Sequence, residues 1–344
     1  MNNKLRLQPL FDAMSGFSVA EVNGQMQTFF AADAVINMCQ PWGQLQGPQA
    51  LYEEVYTGLL KAMPDLERRE FIVMQGICDH GAEWVGCAGN YVGTFVAPWL
   101  DIPPSGHLTY MRYHEFYRIE TGKIVEVQSI WDIPEVMMQS GAWPMVPALG
   151  RNMCIPAPAT QDGLNIETNE QLAQQSKQIV LDMLAALVKH PSQGGPEVME
   201  LEKFWHKRMN WYGPACVGTC RGIGGFRNWH QIPFLAAMPD RGQADDELVF
   251  NFFGDGNYAA VTGWPNMKQT IKHDGWLGIT PADQPITMAS LDFWRMENDK
   301  IRENWVMFDV LDIYQQVGVD VMARMREFNK ARVQGQLLYP IGSV

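Results

Sequence analysis

The chain has few positive charges and no run of them. Its 344 residues include 26 Lys and Arg against 38 Asp and Glu, which gives a formal net charge of −12 at pH 7. Proteins that bind the phosphates of nucleic acids concentrate Lys and Arg on one face. The sequence therefore predicts no nucleic-acid partner.

Long hydrophobic runs are also missing. The longest uncharged apolar stretch, residues 84–100, is interrupted by Asn90, by glycines and by Pro98. This pattern is typical of a buried strand and its loop, not of a membrane span. The first residues lack the apolar core of a signal peptide. We therefore expect a cytoplasmic protein without a membrane segment.

Cysteine and histidine are sparse. The six cysteines are scattered without a CxxC pair, and the seven histidines are dispersed. No His, Cys and carboxylate cluster has the spacing of metal ligands, so we expect buried free thiols and no metal. The length is sufficient for two domains with sizeable cores.

One long segment occurs twice. Residues 111–132 and 288–309 align without a gap, and eight of the 22 positions are identical, including the closing Asp132 and Asp309. Upstream, AMPD occurs at residues 62–65 and 237–240, and WLDIPP at 99–104 corresponds to WLGITP at 276–281. The period is too long for a solenoid. This is a tandem domain duplication.

The sequence pattern of each copy predicts the same order of secondary-structure elements: two helices, a strand, a third helix and four antiparallel strands. We expect one domain over residues 1–145, a linker rich in proline and small residues over 146–167, a second domain over 168–328 and a tail over 329–344. A capping box at Thr168–Gln171 predicts the start of a helix in the second copy. Helices segregated to one side of an antiparallel sheet predict an α+β fold.

The order of these motifs resembles the SnoaL-like polyketide cyclases, or ester cyclases, of the nuclear-transport-factor-2-like superfamily. Copy two carries the fuller pattern, in PFLAAMPDR, GWLGITP and IRENWVMFDVLDIYQQVGVDV. The resemblance implies two cone-shaped α+β barrels, each a curved sheet around helices with an apolar pocket. It also implies an aspartate on the last strand that acts as general acid/base in an aldol ring closure without metal or cofactor. Asp132 and Asp309 occupy that position.

The residues support this role independently. Period two places Asp309 on the face of Trp305, and Asp132 on the face of Gln128. A carboxylate among apolar neighbours loses solvation, which raises its pKa toward the range that suits proton transfer. The alternative role is that each aspartate caps the following helix. Because copy two matches the family better, we expect Asp309 to be the more important residue.

The partner of each aspartate depends on the hairpin turn. A two-residue turn at Thr121–Gly122 places Glu115 opposite Gln128, and the same register places Asp292 opposite Trp305. A three-residue turn with a bulge places His114 opposite Gln128 instead. We favour His114 in copy one and keep Asp292 as the candidate in copy two. His114 could equally be a structural histidine within the strand.

Aromatic residues could bind a planar ligand. The candidates are Trp42, Trp211, Trp264, Trp305 and, on a helix, His230. Core packing is the alternative for each tryptophan, and a surface position is the alternative for His230.

The leading hypothesis is an enzyme that removes a proton next to a carbonyl group of a hydrophobic small molecule. A non-catalytic small-molecule binding protein is the second hypothesis, and a purely structural pair of domains is the third. We also expect the two copies to pack through their sheets as an intrachain pseudo-dimer, which could assemble further into a homo-oligomer.

Overall fold

The computed structural model describes residues 2–242, 245–273 and 275–330. The strands are β1 (Phe30–Met38), β2 (Gln44–Gln46), β3 (Glu67–Ile77), β4 (Glu83–Thr94), β5 (Leu108–Glu120), β6 (Lys123–Trp131), β7 (Trp205–Tyr212), β8 (Thr219–Arg221), β9 (Asn251–Asp255), β10 (Tyr258–Thr262), β11 (Met267–Thr270), β12 (Pro285–Met288), β13 (Ser290–Glu297) and β14 (Lys300–Phe308).

The helices mostly precede the long strands of each copy. The α-helices are Asn3–Ser15, Val19–Phe29, Gly47–Ala50, Thr57–Ala62, Ile133–Gln139, Glu170–Leu187, Leu201–Phe204, Gly222–Phe226, Ile232–Ala237, Val310–Gln316 and Val321–Phe328. Leu51–Tyr56 and Arg227–Gln231 are π-helical, and Pro196–Met199 and Trp276–Gly278 are 3₁₀ turns. No helix in the described part of the chain is long and apolar enough to cross a membrane.

Each copy contributes one six-stranded sheet. The strand orders are β2-β1-β6-β5-β4-β3 and β8-β7-β14-β13-β10-β9, and β11 and β12 form a separate pair. In the first sheet β1 pairs in parallel with β6, and in the second β7 pairs in parallel with β14; the other neighbouring strands are antiparallel. The α+β expectation is therefore confirmed, although neither sheet closes into a barrel.

The first helix shows why helices cover one face of each sheet. In Asn3–Ser15 the buried residues Leu7, Leu10, Phe11 and Met14 recur at helical spacing. This stripe packs toward β3, and Phe11 lies 6.2 Å from the ring of Tyr117 on β5. The odd-numbered residues of β5 therefore face the helices of their own copy.

The opposite face of β5 contacts the second copy. Phe116 stacks on Phe293 with ring centroids 4.9 Å apart, and His114 Nδ1 lies 2.6 Å from the carbonyl oxygen of Leu291. Gly86 permits this approach, because a Cβ atom there would lie 2.8 Å from the Phe116 ring. The even-numbered residues of β5 thus lie between the two sheets.

The strand registers predicted from the turns are wrong. Phe116, and neither Glu115 nor His114, lies opposite Gln128. The turn has two residues, since Glu120 pairs with Lys123, but a bulge follows it within β6 and shifts the register by one.

Copy two repeats this bulge. Phe293, and not Asp292, lies opposite Trp305, because the register shifts between Arg295 and Met296. Asp292 and the corresponding Glu115 therefore point away from the faces that carry Asp309 and Asp132.

Two smaller expectations also need correction. The helix of copy two begins one residue later than the capping box predicted, because Asn169 caps it by accepting a hydrogen bond from the backbone N–H of Leu172. All six cysteines are free, but Cys154 is exposed, since it lies in the irregular segment between the copies.

Candidate functional site

The two repeated aspartates end β6 and β14 and reach across to the opposite copy. Asp132 Oδ2 accepts a hydrogen bond from the backbone N–H of Ala215 at 2.8 Å. Asp309 Oδ2 accepts one from the backbone N–H of Gln40 at 2.7 Å. Gln40 and Ala215 are themselves related by the repeat, at an offset of 175 residues. The contacts are thus reciprocal.

A second carboxyl group follows each aspartate by three residues. Glu135 lies in the helix after Asp132, and Asp312 occupies the same place after Asp309. Asp309 also caps its helix through the backbone N–H of Asp312, whereas Asp132 makes no such side-chain bond. Each copy therefore contributes a carboxyl pair to the contact, and Asp132 and Asp309 themselves line one small cavity between the copies. The first end of the contact is the side of Glu135, and the second end is the side of Asp312.

Burial perturbs both pairs. It raises the pKa of Asp309 to about 7, and it raises the pKa of Asp312 as well. Burial also raises the pKa of Glu135 well above its usual range, and the neighbouring Asp132 charge adds to this rise. The pKa of Asp132 is raised by burial and lowered by the charge of Arg112. Two buried carboxyl groups whose charges repel each other favour sharing one proton.

Arg112 connects the first pair to copy two. Its fully buried guanidinium lies 3.6 Å from Asp132 Oδ2 and donates hydrogen bonds to the carbonyl oxygens of Tyr212, Gly213 and Val306. Its backbone N–H donates to Glu135 Oε2 at 2.7 Å. One arginine thus holds both carboxyl groups against the other copy.

A cavity of about 180 Å³ opens beside the first pair. Asp132 and Glu135 line it from copy one, and Gly213 and Ala215 line it from copy two. Asp132 Oδ1 is buried there without a hydrogen-bond partner among the described residues. The neighbouring Met153 is 43% exposed, which places the cavity next to solvent. The carboxyl pair therefore lies at the wall of a solvent-connected cavity, with Asp132 Oδ1 itself buried in that wall.

Other predicted site residues lie elsewhere between the sheets. His114 is fully buried, and its pKa is lowered well below the usual range by burial and by the Arg112 charge. Gln128 accepts a hydrogen bond from Thr262 of the other copy. Trp305 is fully buried and donates from Nε1 to the carbonyl oxygen of Pro156 at 3.2 Å. None of the three lines the cavity.

Glu115 lies inside copy one, within a packed polar network. Its carboxylate accepts hydrogen bonds from Tyr91, Tyr117 and Trp131 and lies 3.6 Å from the buried guanidinium of Arg68. All of these partners are almost fully buried. The network occupies the interior in which the resemblance had implied a ligand. Trp42 packs beside it, 5.5 Å from Trp131.

The candidates inside copy two are separate from the cavity. His230 stacks on Trp211 with ring centroids 3.9 Å apart, and burial lowers its pKa to about 3. Burial raises the pKa of Asp292 to about 7, against a hydrogen bond from Ser290. Trp264 is partly buried against the core. His230 is therefore neutral near pH 7, and it is partly buried against Trp211.

Glu135 and Arg112 were not predicted. The repeat alignment contained a signal for Glu135, because its counterpart at the same offset is the acidic Asp312. Arg112 corresponds to Ala289, so the duplication gave no signal for it. Within the described ranges, no group of three or more His, Cys, Asp or Glu residues has the geometry to hold a metal ion.

Comparison with known proteins places the chain in a family. The model of the SnoaL-like polyketide cyclases matches residues 21–140 and 261–317, about half of the chain. No curated protein sequence gives a significant match.

Several solved structures are similar to single copies. IdmH from Streptomyces antibioticus, a provisionally assigned polyketide cyclase, is 20% identical in sequence to this chain. The alignment covers 41% of this chain and 99% of IdmH, with a TM-score of 0.34. An NTF2-like protein from Burkholderia thailandensis is 15% identical; the alignment covers 40% of this chain and 97% of that protein, with a TM-score of 0.32. TsrD from Streptomyces laurentii is 15% identical; the alignment covers 40% of this chain and 95% of TsrD, with a TM-score of 0.33. Because the family model matches residues in both copies, the chain belongs to the SnoaL-like polyketide cyclases.

Proposed function

We propose that the chain is a cofactor-independent enzyme that moves a proton next to a carbonyl group, leading to aldol ring closure or isomerisation. The observation that carries this proposal is the carboxyl pair beside the cavity, in which Asp132 Oδ1 is buried and unpartnered among the described residues. A base of this kind needs a raised pKa, which burial gives to Asp132. The residue also lines the cavity.

Each carboxyl group has a role in the reaction. Asp132, as carboxylate, removes a proton from the carbon next to the carbonyl group, while protonated Glu135 donates a hydrogen bond to the carbonyl oxygen. The enolate carbon then attacks a second carbonyl carbon of the same molecule and forms the ring bond. The new alkoxide takes the proton from Asp132, so the reaction needs no external acid, base or oxidant. Arg112 fixes the position of the pair.

The size and walls of the cavity limit the substrate. A volume of about 180 Å³ is smaller than the roughly 300–1,000 Å³ of pockets that enclose drug-sized ligands. Met138 and Ile155 contribute apolar walls beside the two carboxyl groups. The site therefore suits a small ketone, or one end of a longer hydrophobic molecule whose remainder stays outside.

The contacts between the sheets support an intrachain pseudo-dimer in which copy two completes the site of copy one. Gly213, Ala215 and Gly218 of copy two form part of the cavity wall. Three carbonyl groups of copy two orient Arg112. Asp309 keeps the corresponding structural contact at the other end, so we assign the chemistry to Asp132.

A non-catalytic binding protein is the second candidate. The observation that favours it is the use of both aspartates as acceptors for backbone N–H groups of the opposite copy. In that case the cavity would hold a carbonyl compound without changing it.

Exchange of α-protons separates the two candidates without requiring the natural substrate. Butanone in D₂O would be followed by NMR with the whole chain, with Asp132→Asn, with Glu135→Gln and with Asp320→Asn. Asp320 is a matched control, because it caps a helix outside the cavity. We expect exchange to fall by roughly 10²–10⁴ with Asp132→Asn, and to persist with Asp320→Asn. Saturable butanone binding without exchange in the wild type would favour the binding protein; unchanged exchange with Asp132→Asn would refute the mechanism.

A further inference from the structure

The surroundings of the two carboxyl pairs are duplicated in detail. Gln139 and Gln316 are 177 residues apart, and each bonds both backbone polar groups of one strand residue, Tyr110 and Thr287 respectively. These two strand residues are also 177 residues apart. The two ends of the contact therefore descend from one arrangement.

The ends differ at the residue whose backbone N–H binds the aspartate. At the first end this residue is Ala215, whose side chain stops at Cβ and leaves the cavity open beside Glu135. At the second end it is Gln40, whose side-chain amide reaches Asp312 with Nε2 3.5 Å from Oδ1. Gln316 donates to the other oxygen of Asp312 at 2.6 Å. The carboxyl group that corresponds to Glu135 thus accepts hydrogen bonds from two glutamines.

We propose that the chain carries a second, closed form of the small-molecule site beside Asp309 and Asp312, and that residues 40 and 215 determine which of the two ends accepts a ligand. This inference rests on the function proposed above for the first end. The ligand class is the same at both: a small uncharged carbonyl compound that accepts a hydrogen bond from a protonated carboxyl group.

The structure indicates that a glutamine at position 215 is compatible with folding. Gln40 already occupies the repeat-related position, with its backbone N–H bound to the corresponding aspartate. Ala215→Gln should therefore fill the open cavity in the way that Gln40 fills the other. Gln40→Ala should uncover Asp312, and the double exchange should move the open site from one end to the other.

Butanone binding and α-proton exchange would be measured for Ala215→Gln, Gln40→Ala and the double variant. Ala20→Gln is a matched control, since Ala20 is an exposed helix residue that lines neither cavity. We expect Ala215→Gln to lower butanone affinity and exchange at least tenfold, and Gln40→Ala to add a second butanone site. Wild-type affinity and exchange in Ala215→Gln would overturn the inference.

The outcomes separate this inference from the proposed function. If Asp132→Asn abolishes exchange but Ala215→Gln does not, the function stands and the role of position 215 is wrong. If the wild type neither binds butanone nor exchanges its protons, the function fails. Crystal structures of Ala215→Gln and Gln40→Ala then test the inference without ligand. A filled first cavity and an opened second one support it, and any other result contradicts it.

Discussion

Removal of Glu115 tests whether the interior of copy one is a ligand site or a structural core. The carboxylate is 2% exposed and accepts hydrogen bonds from Tyr91 at 3.2 Å, Tyr117 at 2.5 Å and Trp131 at 3.1 Å. Arg68, which is fully buried, lies 3.6 Å away. Glu115→Ala would therefore leave three donors without their acceptor, and the Arg68 guanidinium would keep only Glu70, 3.2 Å away, as an anionic partner.

The expected cost is large. Breaking a buried ion pair by removing one partner costs about 3–5 kcal/mol, because the remaining charge stays desolvated. Since a domain is stable by only about 5–15 kcal/mol, the first copy would lose a large part of its stability. At about 2–4 °C per kcal/mol for a domain of this size, the melting temperature should fall by roughly 6–20 °C.

Urea unfolding monitored by tryptophan fluorescence would measure the change. Glu115→Ala combined with Arg68→Met should recover part of the loss, because the desolvated guanidinium charge is then absent while Glu70 loses its partner. Glu126→Gln is the matched control: Glu126 pairs with Arg118 near the surface, so its removal should cost about 1 kcal/mol or less. If Glu115→Ala abolished the exchange of butanone protons but left the stability unchanged, the structural role would be refuted and Glu115 would be a site residue.

Three further predictions concern the contact between the copies. Asp309→Asn should leave butanone exchange intact. The Asp309 carboxyl group keeps its proton up to about pH 7 in the native state but only up to about pH 4 in the unfolded state, so the stability of the wild type relative to this variant should fall as the pH rises from about 4 to about 7. Urea midpoints of the two proteins with the same pH dependence would contradict this. Arg112→Gln should move the acid limb of the exchange pH–rate profile to higher pH, since its charge lowers the pKa of Asp132; an unmoved limb would contradict this role. Phe116→Ala should destabilise the protein by about 3–5 kcal/mol in calorimetry, because the ring is fully buried and stacked on Phe293; a loss below about 1 kcal/mol would argue against this packing.

The sequence was sufficient for the fold class, because the fold class depends on long-range order in the chain. The constant offset between Asp132 and Asp309, and the strand pattern before each, survive small local changes. The strand register depends on a single residue, and the bulge within β6 lies after the turn that the sequence indicated. A one-residue slip exchanges the two faces of a strand. A two-residue turn alone would place Glu115 opposite Gln128 and the favoured bulged turn placed His114 there, whereas the structure has Phe116 at that position and Glu115 inside copy one.

The site was only partly predictable for a different reason. The repeat indicated Asp132 as a candidate, and its neighbour Glu135 could have been identified as a candidate in the same way. Arg112 and Ala215 have meaning only once the copies are docked, since 103 residues separate them in sequence and their contacts are with the opposite copy. No periodicity or spacing within one copy carries that information.

Joining two copies in one chain removes a constraint that a symmetric dimer must obey. In a two-fold homodimer every substitution appears at both ends of the interface, so a residue that closes one site would close both. Here the reciprocal bonds of Asp132 and Asp309 retain the two-fold pattern, whereas residues 40 and 215, and Arg112 and Ala289, differ across it. One end can therefore specialise in holding the copies together, while the other keeps an unpartnered carboxyl oxygen beside a cavity. This division explains why both aspartates persist in the sequence although we assign proton transfer to one of them.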